Sequence, residues 1–255
     1  MELNKIYNGD TRELIKQVES ESIDLIVSDI PYTIIQGGDA KGFWRDRQMG
    51  GVMAKHGFTT GNYELVKKGK IFEHNDIKFH EYLPELYRVL KQSSHCYLMI
   101  NARNLKELQQ ACEDAGLIYQ QLLVWDKRNA TPNRYYMNAC EFILMLRKGA
   151  AKNINDMGAK NLISVQNIIG TKRHPTEKPV ALMEYLIKQS SKQGDLVLDP
   201  FCGSGSTCLA AKNTGRNYIG FEIDQNYHEI ACKRMTEPQK VSLFNDYKDG
   251  KEKLV

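Results

Sequence analysis

The pattern of apolar and polar positions along the chain predicts alternating strands and helices. Two short apolar runs rich in β-branched residues, Ile23–Asp29 and Leu196–Pro200, are typical of buried parallel strands. Each reaches an aspartate that a proline follows within two residues, and proline cannot continue the hydrogen-bond ladder of a sheet. Further strands are predicted at Lys5–Asn8, Cys96–Ile100, Gln120–Trp125, Cys140–Arg147 and Asn217–Ile223.

Helical patterns fill most of the intervals between these strands. They cover Asn75–Leu90, Leu105–Ala115, Pro179–Ser190, Thr207–Thr214 and Gln225–Met235. Alternation of this kind predicts an α/β fold with a doubly wound sheet. Because open α/β sheets bind ligands at the carboxyl ends of their strands, Asp29 and Asp199 mark two candidate sites.

Two stretches interrupt the alternation. Thr33–Asn75 contains eight glycines together with basic and aromatic residues, and Gly149–Arg173 is polar and basic. A loop as long as the first is usually functional or mobile when it lies within a compact domain. We therefore predict a single domain over residues 1–255, with a mobile, glycine-rich basic loop at 33–75.

Composition narrows the class of protein. The 255 residues are 42% hydrophobic and 26% charged, which is typical of globular proteins and excludes a wholly disordered chain. No apolar run approaches the roughly 18 residues that span a bilayer, and no signal peptide is visible, so we expect a cytoplasmic protein without a membrane partner. The six cysteines stand singly, which predicts buried thiols and no metal site.

The net charge of +4 is distributed unevenly. Asp126–Lys178 contains ten basic and four acidic residues, and Thr33–Asn75 contains seven basic and four acidic residues. This asymmetry indicates a side of the molecule that faces a polyanion, although a solvated basic surface would give the same pattern.

The sequence from Asp199 to Thr207, DPFCGSGST, has the pattern of a strand, a glycine turn and a helix start. Glycines let backbone N–H groups approach a ligand, and Ser206 or Thr207 could cap the helix. The motif lacks the lysine of a phosphate loop and the spacing of dinucleotide folds, which disfavours a phosphate cradle. Glu222 follows at the end of the next strand, where such folds bind a ribose. The pattern favours an adenosine cofactor without pyrophosphate; the alternative is a turn that only packs helix on sheet.

Two other motifs carry candidate chemistry. In Ser28–Tyr32, a carboxylate, a backbone carbonyl before proline and an aromatic ring could together bind an amino group and the ring that bears it. A turn with a half-buried tyrosine is the simpler interpretation of that motif. His174–Pro179 is typical of a helix start, with Thr176 as the cap and Pro179 near the first turn.

These three motifs in this order resemble those of the amino-methyltransferases that modify DNA at adenine N6 or cytosine N4 with S-adenosylmethionine. The catalytic motif precedes the cofactor motif, which is the circularly permuted arrangement of the family's β group. Ile6–Asp10, Leu123–Lys127 and Asn138–Leu144 also resemble family strands, so the resemblance covers nearly the whole chain. It implies a Rossmann-like methyltransferase sheet with inserted DNA-contacting segments.

The resemblance also implies roles for individual residues. Asp29, Ile30, Pro31 and Tyr32 would hold the flipped target base, with Ile30 standing where the family more often has proline. Because the family uses the backbone carbonyl at that position, we expect the activity to survive. The implied cofactor residues are Thr176, Lys178, Asp199, Phe201, Cys202, Gly203, Ser204 and Gly205 at the methionine end, Glu222 at the ribose, and Asp10 and Ile223 at the adenine.

The implied reaction is methyl transfer from S-adenosylmethionine to N6 of a flipped adenine in double-stranded DNA, because the family's first catalytic position is an aspartate here. A cytosine-N4 DNA enzyme, an RNA methyltransferase, a protein-glutamine methyltransferase and a catalytically silent DNA-binding subunit remain alternatives. The sequence leaves open a homodimer and a companion restriction endonuclease. The expected DNA contacts are Arg45 and Arg47 in the glycine-rich loop, and Lys127, Arg128, Arg134, Lys172 and Arg173 in the basic segment 126–178, which holds the predicted target-recognition region.

Overall fold

The computed structural model of the chain describes residues 1–32, 77–132, 135–170, 172–174 and 176–237. The described strands are β1 (Lys5–Asn8), β2 (Ile23–Asp29), β3 (Leu90–Ile100), β4 (Ile118–Thr131), β5 (Asn138–Arg147), β6 (Leu162–Ser164), β7 (Leu196–Asp199) and β8 (Asn217–Glu222). The described helices are α1 (Thr11–Leu14), followed by a 3-10 turn (Ile15–Gln17), α2 (Phe79–Val89), α3 (Leu105–Asp114), α4 (Val180–Ser190), α5 (Ser206–Asn213) and α6 (Gln225–Thr236).

The described strands form one mixed sheet in the order β1-β8-β7-β2-β3-β5-β4-β6. Among them only β5 runs antiparallel to its neighbours. The chain leaves β2 through α2 toward β3 on one side, and leaves β7 through α5 toward β8 on the other. The direction of winding therefore reverses between β7 and β2, and such a switch point opens a crevice at the carboxyl ends of the two strands.

Two apolar cores cover the two faces of this sheet. Leu25 and Val27 of β2 belong to the core that includes residues of α4, α5 and α6. Ile26 belongs to the opposite core, which includes residues of α2 and α3. Because both faces are covered, the middle of β2, Leu25–Val27, is continuously apolar and buried, as expected for a central parallel strand.

The predicted α/β fold is confirmed, with differences at particular elements. β3 begins at Leu90 rather than Cys96, because its first half is polar and gave no apolar run. The three-residue β6 lies inside the stretch predicted to have no element, and it pairs with the edge of β4. Thr176 does not cap the following helix, since Pro179 occupies the N-cap position of α4.

Two expectations from the sequence concern the membrane and the glycine-rich loop. Within the described ranges, no helix is long and apolar enough to cross a membrane. The glycine-rich loop at 33–75, with Arg45 and Arg47, lies outside the described residues, and so does Arg134.

Candidate active site

The two aspartates that end β2 and β7 face one cavity, so the two sites expected from the sequence are one. The cavity has a volume of about 520 Å³, and both Asp29 and Asp199 line it. The hydroxyl of Ser28 donates a hydrogen bond of 2.7 Å to Oδ1 of Asp199, across the neighbouring strands. The buried carboxylate of Asp199 also accepts hydrogen bonds from the Phe201 backbone and the Thr207 side chain.

Burial sets the acidity of Asp199. It is 3% exposed, and burial raises its pKa to about 6, although the bonds from Ser28, Thr207 and Phe201 act in the opposite direction. A carboxyl group with this pKa changes charge just below neutral pH. Because Asp199 lines the cavity, its ionisation adds a negative charge to the cavity wall.

The glycine turn after β7 brings backbone into the wall of the cavity. Gly203 has a φ of +51°, and a Cβ built there would stand 3.8 Å from the ring of His174, which also lines the cavity. Gly205 has a φ of +78° and is the N-cap of α5. No side chain caps this helix, so the expected capping role of Ser206 or Thr207 is wrong. The two glycines adopt left-handed backbone conformations that few other residues tolerate.

One wall of the cavity presents acidic groups suited to hydroxyl and amino groups of a ligand. Glu222 ends β8, and its two carboxylate oxygens accept hydrogen bonds of 2.9 Å from the backbone of Gly203 and Asp224. Burial raises the pKa of Glu222, against those two bonds. Asp10 lines the same cavity, caps α1 and pairs with Arg12.

Asp29 has a cationic partner in the cavity. Nζ of Lys178 lies 2.6 Å from Oδ2 of Asp29 and 3.4 Å from Oε2 of Glu141. Burial raises the pKa of Asp29, while the charge of Lys178 lowers it. Burial disfavours the ammonium of Lys178, but the two carboxylates outweigh this effect and raise its pKa. The ammonium of Lys178 is therefore directed at the carboxylate of Asp29.

The structure brings most of the predicted site residues together. Ile30, Pro31 and Tyr32 line the cavity with Asp29. The predicted cofactor residues that line it are Asp10, Thr176, Lys178, Asp199, Phe201, Cys202, Gly203, Ser204, Glu222 and Ile223. Gly205 does not line the cavity, because it packs against α6, with Ala231 at 3.1 Å from the position of an added Cβ.

Three side chains at or beside the cavity were not predicted as site residues from the sequence. His174 and Tyr227 line the cavity with ring centroids 4.1 Å apart, and burial lowers the pKa of His174 to about 4. His174 belongs to a motif that was visible in the sequence, whereas Tyr227 gave no signal. Arg234 is buried, and it contacts Glu177 at 2.9 Å and the carbonyl of Ser204 at 3.1 Å. It therefore links the His174–Pro179 motif to the glycine turn.

The basic residues expected to contact DNA differ in exposure. Arg128, Lys172 and Arg173 are exposed, and Arg173 pairs with Glu237 at 3.0 Å. Lys127 is 7% exposed and lies 3.6 Å from Glu141. The ammonium of Lys127 is therefore buried and paired within the protein, and the DNA contact expected at this residue stays a prediction.

Residues 23–233 match the family described as DNA methylase. The chain belongs to this family. DNA methylases of this family use S-adenosylmethionine to methylate exocyclic amino groups of DNA bases, and the order of motifs identifies the chain as a β-group DNA amino-methyltransferase.

Relatives of this DNA methylase match along most of their length. It is 29% identical over 251 residues to Type II methyltransferase M2.DpnII of Streptococcus pneumoniae, covering 90% of this chain and 88% of that one. It is 30% identical over 273 residues to Type II methyltransferase M.HinfI of Haemophilus influenzae, covering 95% and 72%.

Solved structures share the fold. The M1.HpyAVI–SAM complex has a TM-score of 0.63 at 25% identity, with 90% of this chain and 98% of that chain covered. The cytosine-N4-specific PvuII DNA methyltransferase has a TM-score of 0.67 at 17% identity, covering 93% and 88%, which shows a common fold.

The cavity of this DNA methylase fits S-adenosylmethionine. Its volume of about 520 Å³ is within the range of small-molecule sites. Asp199 offers a buried carboxylate to an ammonium, and Glu222 offers carboxylate oxygens to ribose hydroxyls. At Gly203 the backbone forms part of the wall, in a place that a side chain would occupy.

Proposed function

We propose that this DNA methylase transfers a methyl group to N6 of a flipped adenine at a specific sequence in double-stranded DNA. The observation that carries the proposal is the position of Asp29, which lines the same cavity as the proposed cofactor residues and adjoins Ser28, the hydrogen-bond partner of Asp199. The choice of adenine rests on the aspartate at the first position of the catalytic motif.

The proposed chemistry uses hydrogen-bond acceptors at a fixed place. The lone pair of an exocyclic amine is delocalised into its ring, so the amine is a poor nucleophile. Asp29 and the carbonyl of Ile30 each accept one N–H, which draws the nitrogen toward tetrahedral geometry and frees its lone pair. S-adenosylmethionine supplies an electrophilic methyl group when bound. Tyr32 provides an aromatic face for the base in the same cavity.

We call residues Asp29–Tyr32 the catalytic turn, and packing of the Ile30 side chain holds this turn in place. This side chain is 1% exposed and belongs to the apolar core on the α2 and α3 side of the sheet. A proline would fix this turn through its ring, whereas here the buried side chain anchors it. This supports an active turn despite the departure from the family pattern.

The proposed DNA-binding face includes the exposed Arg128, Lys172 and Arg173. A base inside a duplex cannot reach Asp29, so it must be flipped out while basic side chains hold the backbone. Tyr135 and Tyr136, which follow β4, are 80% and 92% exposed. Both tyrosines belong to the basic segment 126–178, and exposed aromatic rings are suited to stacking on bases, which supports a DNA partner.

The wider setting is part of the proposal. M2.DpnII and M.HinfI are named Type II methyltransferases, which supports a place for this enzyme in restriction and modification. A cytoplasmic location, a homodimer and a companion restriction endonuclease stay predictions.

Mass spectrometry of nucleosides tests the proposed reaction. The full-length protein is incubated with S-adenosylmethionine and unmethylated duplex DNA, and the DNA is then digested to nucleosides. We expect N6-methyladenine. N4-methylcytosine would contradict the choice of base, methylation of RNA in preference to DNA would contradict the substrate, and unmodified DNA that the protein still binds would identify a silent subunit.

A further inference from the structure

Four charged side chains of alternating sign form a continuous row beside the catalytic turn. Asp29 contacts Lys178 at 2.6 Å, Lys178 contacts Glu141 at 3.4 Å, and Glu141 contacts Lys127 at 3.6 Å. The side chains of both lysines are 8% exposed, so solvent screens this row only weakly. We call these residues the charge row.

The charge row joins four separate parts of the chain. Asp29 ends β2, and Lys178 stands two residues before α4. Glu141 lies on β5 opposite Trp125 of β4, and Lys127 follows two residues later on β4. Because each member stands on, or directly beside, a packed strand or helix, the row is held in place by the fold.

Lys178 divides its charge between two carboxylates. Its ammonium has three N–H donors, and its partners are Asp29, Glu141 and the carbonyl of Thr176 at 3.3 Å. A carboxylate that is fully paired with an ammonium is a weaker hydrogen-bond acceptor and a weaker base. Because Glu141 also pairs with Lys178, the pairing of Lys178 with Asp29 is weaker, and Asp29 is a better acceptor for another donor.

We propose that Glu141 is a positioning residue for methyl transfer, which acts through Lys178 to keep Asp29 basic, and that Lys127 limits this effect by pairing with Glu141. This inference rests on the proposed function, in which Asp29 accepts the target amine. The direct effects of charge agree with the geometry, since Glu141 raises and Lys178 lowers the pKa of Asp29.

A basic Asp29 completes the proton balance of the reaction. When the amine nitrogen bonds to the methyl carbon, the carbon–sulfur bond breaks and its electron pair stays on sulfur. The nitrogen then carries a positive charge until one N–H bond breaks. Asp29 takes that proton, becomes neutral and later releases the proton to water, while Lys178 stays paired with Glu141.

Other groups also act on Asp29, and they stay the same in every variant of the charge row. Outside the charge row, the charged and titratable groups that interact electrostatically with Asp29 are Lys172, Tyr32 and Asp199. A comparison of the variants with one another and with the wild type therefore isolates Glu141 and Lys127.

The experiment measures the single-turnover rate of methyl transfer as a function of pH. In Glu141→Gln the ammonium of Lys178 pairs with Asp29 alone. The acidic limb of the pH–rate profile should therefore move to lower pH by on the order of one unit, and the plateau rate should fall about tenfold. Lys127→Met frees Glu141 to hold Lys178 more strongly, so the limb should move to higher pH.

A matched control removes the carboxylate from another ion pair in which the lysine is buried. Glu21 lies 3.0 Å from Lys148, whose side chain is 4% exposed, and Glu21 does not line the cavity. Glu21→Gln should keep the wild-type pH profile. Calorimetry with S-adenosylmethionine and thermal unfolding show whether each variant is folded and binds the cofactor.

The inference is supported if the acidic limb moves to lower pH in Glu141→Gln and to higher pH in Lys127→Met. It is overturned if the acidic limb of both variants coincides with that of the wild type, or if it moves in the same direction in both. If Glu141→Gln fails to fold, the upward shift of Lys127→Met decides alone. Asp29→Ala in the same assay separates the two proposals. A wild-type rate in Asp29→Ala contradicts the proposed function, whereas a slow Asp29→Ala with coincident limbs contradicts only the role of Glu141.

Discussion

The 2.7 Å hydrogen bond from Ser28 to Oδ1 of Asp199 links the residue beside Asp29, the proposed catalytic aspartate, to the carboxylate proposed to bind the cofactor. Ser28 is fully buried, and its neighbour Asp29 lines the same cavity as Asp199. The bond therefore fixes the two strand ends relative to each other. It also stabilises the ionised form of Asp199, the form that can bind an ammonium.

Cofactor affinity should depend on pH through Asp199. Burial raises its pKa to about 6, so below that pH it should lose its charge and the proposed pairing with the ammonium of S-adenosylmethionine. Calorimetry should show affinity falling about tenfold per pH unit below 6. Ser28→Ala removes a donor to the ionised form, so the onset should move to higher pH. Asp199→Asn should bind weakly at every pH, with no such dependence.

The same group predicts the opposite trend for the stability of the cofactor-free protein. Burial raises the pKa of Asp199 above its ordinary value of 3.8, so the folded state binds the proton more tightly than the unfolded state. The contribution of this group to the free energy of unfolding therefore falls as the pH rises from about 4 to 6. Denaturant unfolding of wild type and Asp199→Asn isolates that contribution, and identical pH dependence in both would refute the assignment.

Gly203 should be required for cofactor binding beyond its backbone conformation. Gly203→Ala places a Cβ in the cavity at a φ of +51°. Gly194→Ala is a matched control, because Gly194 has a φ of +85° with no neighbour within 4 Å of the added Cβ. Both variants should lose about 1–2 kcal/mol of stability. Only Gly203→Ala should weaken S-adenosylmethionine binding, by about tenfold or more, and equal affinity in the two variants would contradict the proposed role of Gly203 in the cofactor site.

Local patterns were enough to predict the elements that carry the site. The apolar runs that form β2 and β7 end at aspartates, and the parallel order of these strands places both carboxylates at one cavity. The sequence suggested two sites because it does not show which strands are neighbours. β6 and the first half of β3 were missed because a three-residue edge strand and a polar strand carry no apolar period.

Contacts between distant residues were beyond the reach of the sequence. Lys127 was expected at the DNA surface, but β4 and β5 bring it to Glu141 in the interior. Lys178 was expected at the cofactor, and its ammonium contacts Asp29. The sequence shows which residues are basic, and only the fold shows which of them pair with a carboxylate inside the protein.

DNA binding should depend on the exposed basic residues near the cavity. Lys172→Ala/Arg173→Ala should weaken duplex binding and flatten the plot of log affinity against log salt by about 0.9 for each phosphate that the variant no longer binds. Lys188→Ala/Lys192→Ala removes the same charge from exposed positions at the far end of α4, and it should leave the salt slope unchanged. A wild-type affinity and slope in the first variant would place the DNA-binding face elsewhere.

The role of Asp29 is the central claim, and single-turnover methyl transfer by Asp29→Ala tests it most directly. The variant removes an acceptor that matters most as the nitrogen becomes tetrahedral, while Lys178 keeps Glu141 as a partner. We predict a rate about a hundredfold or more below that of the wild type, with S-adenosylmethionine affinity within a few-fold. A rate close to that of the wild type, in a folded variant that binds the cofactor, would contradict the account.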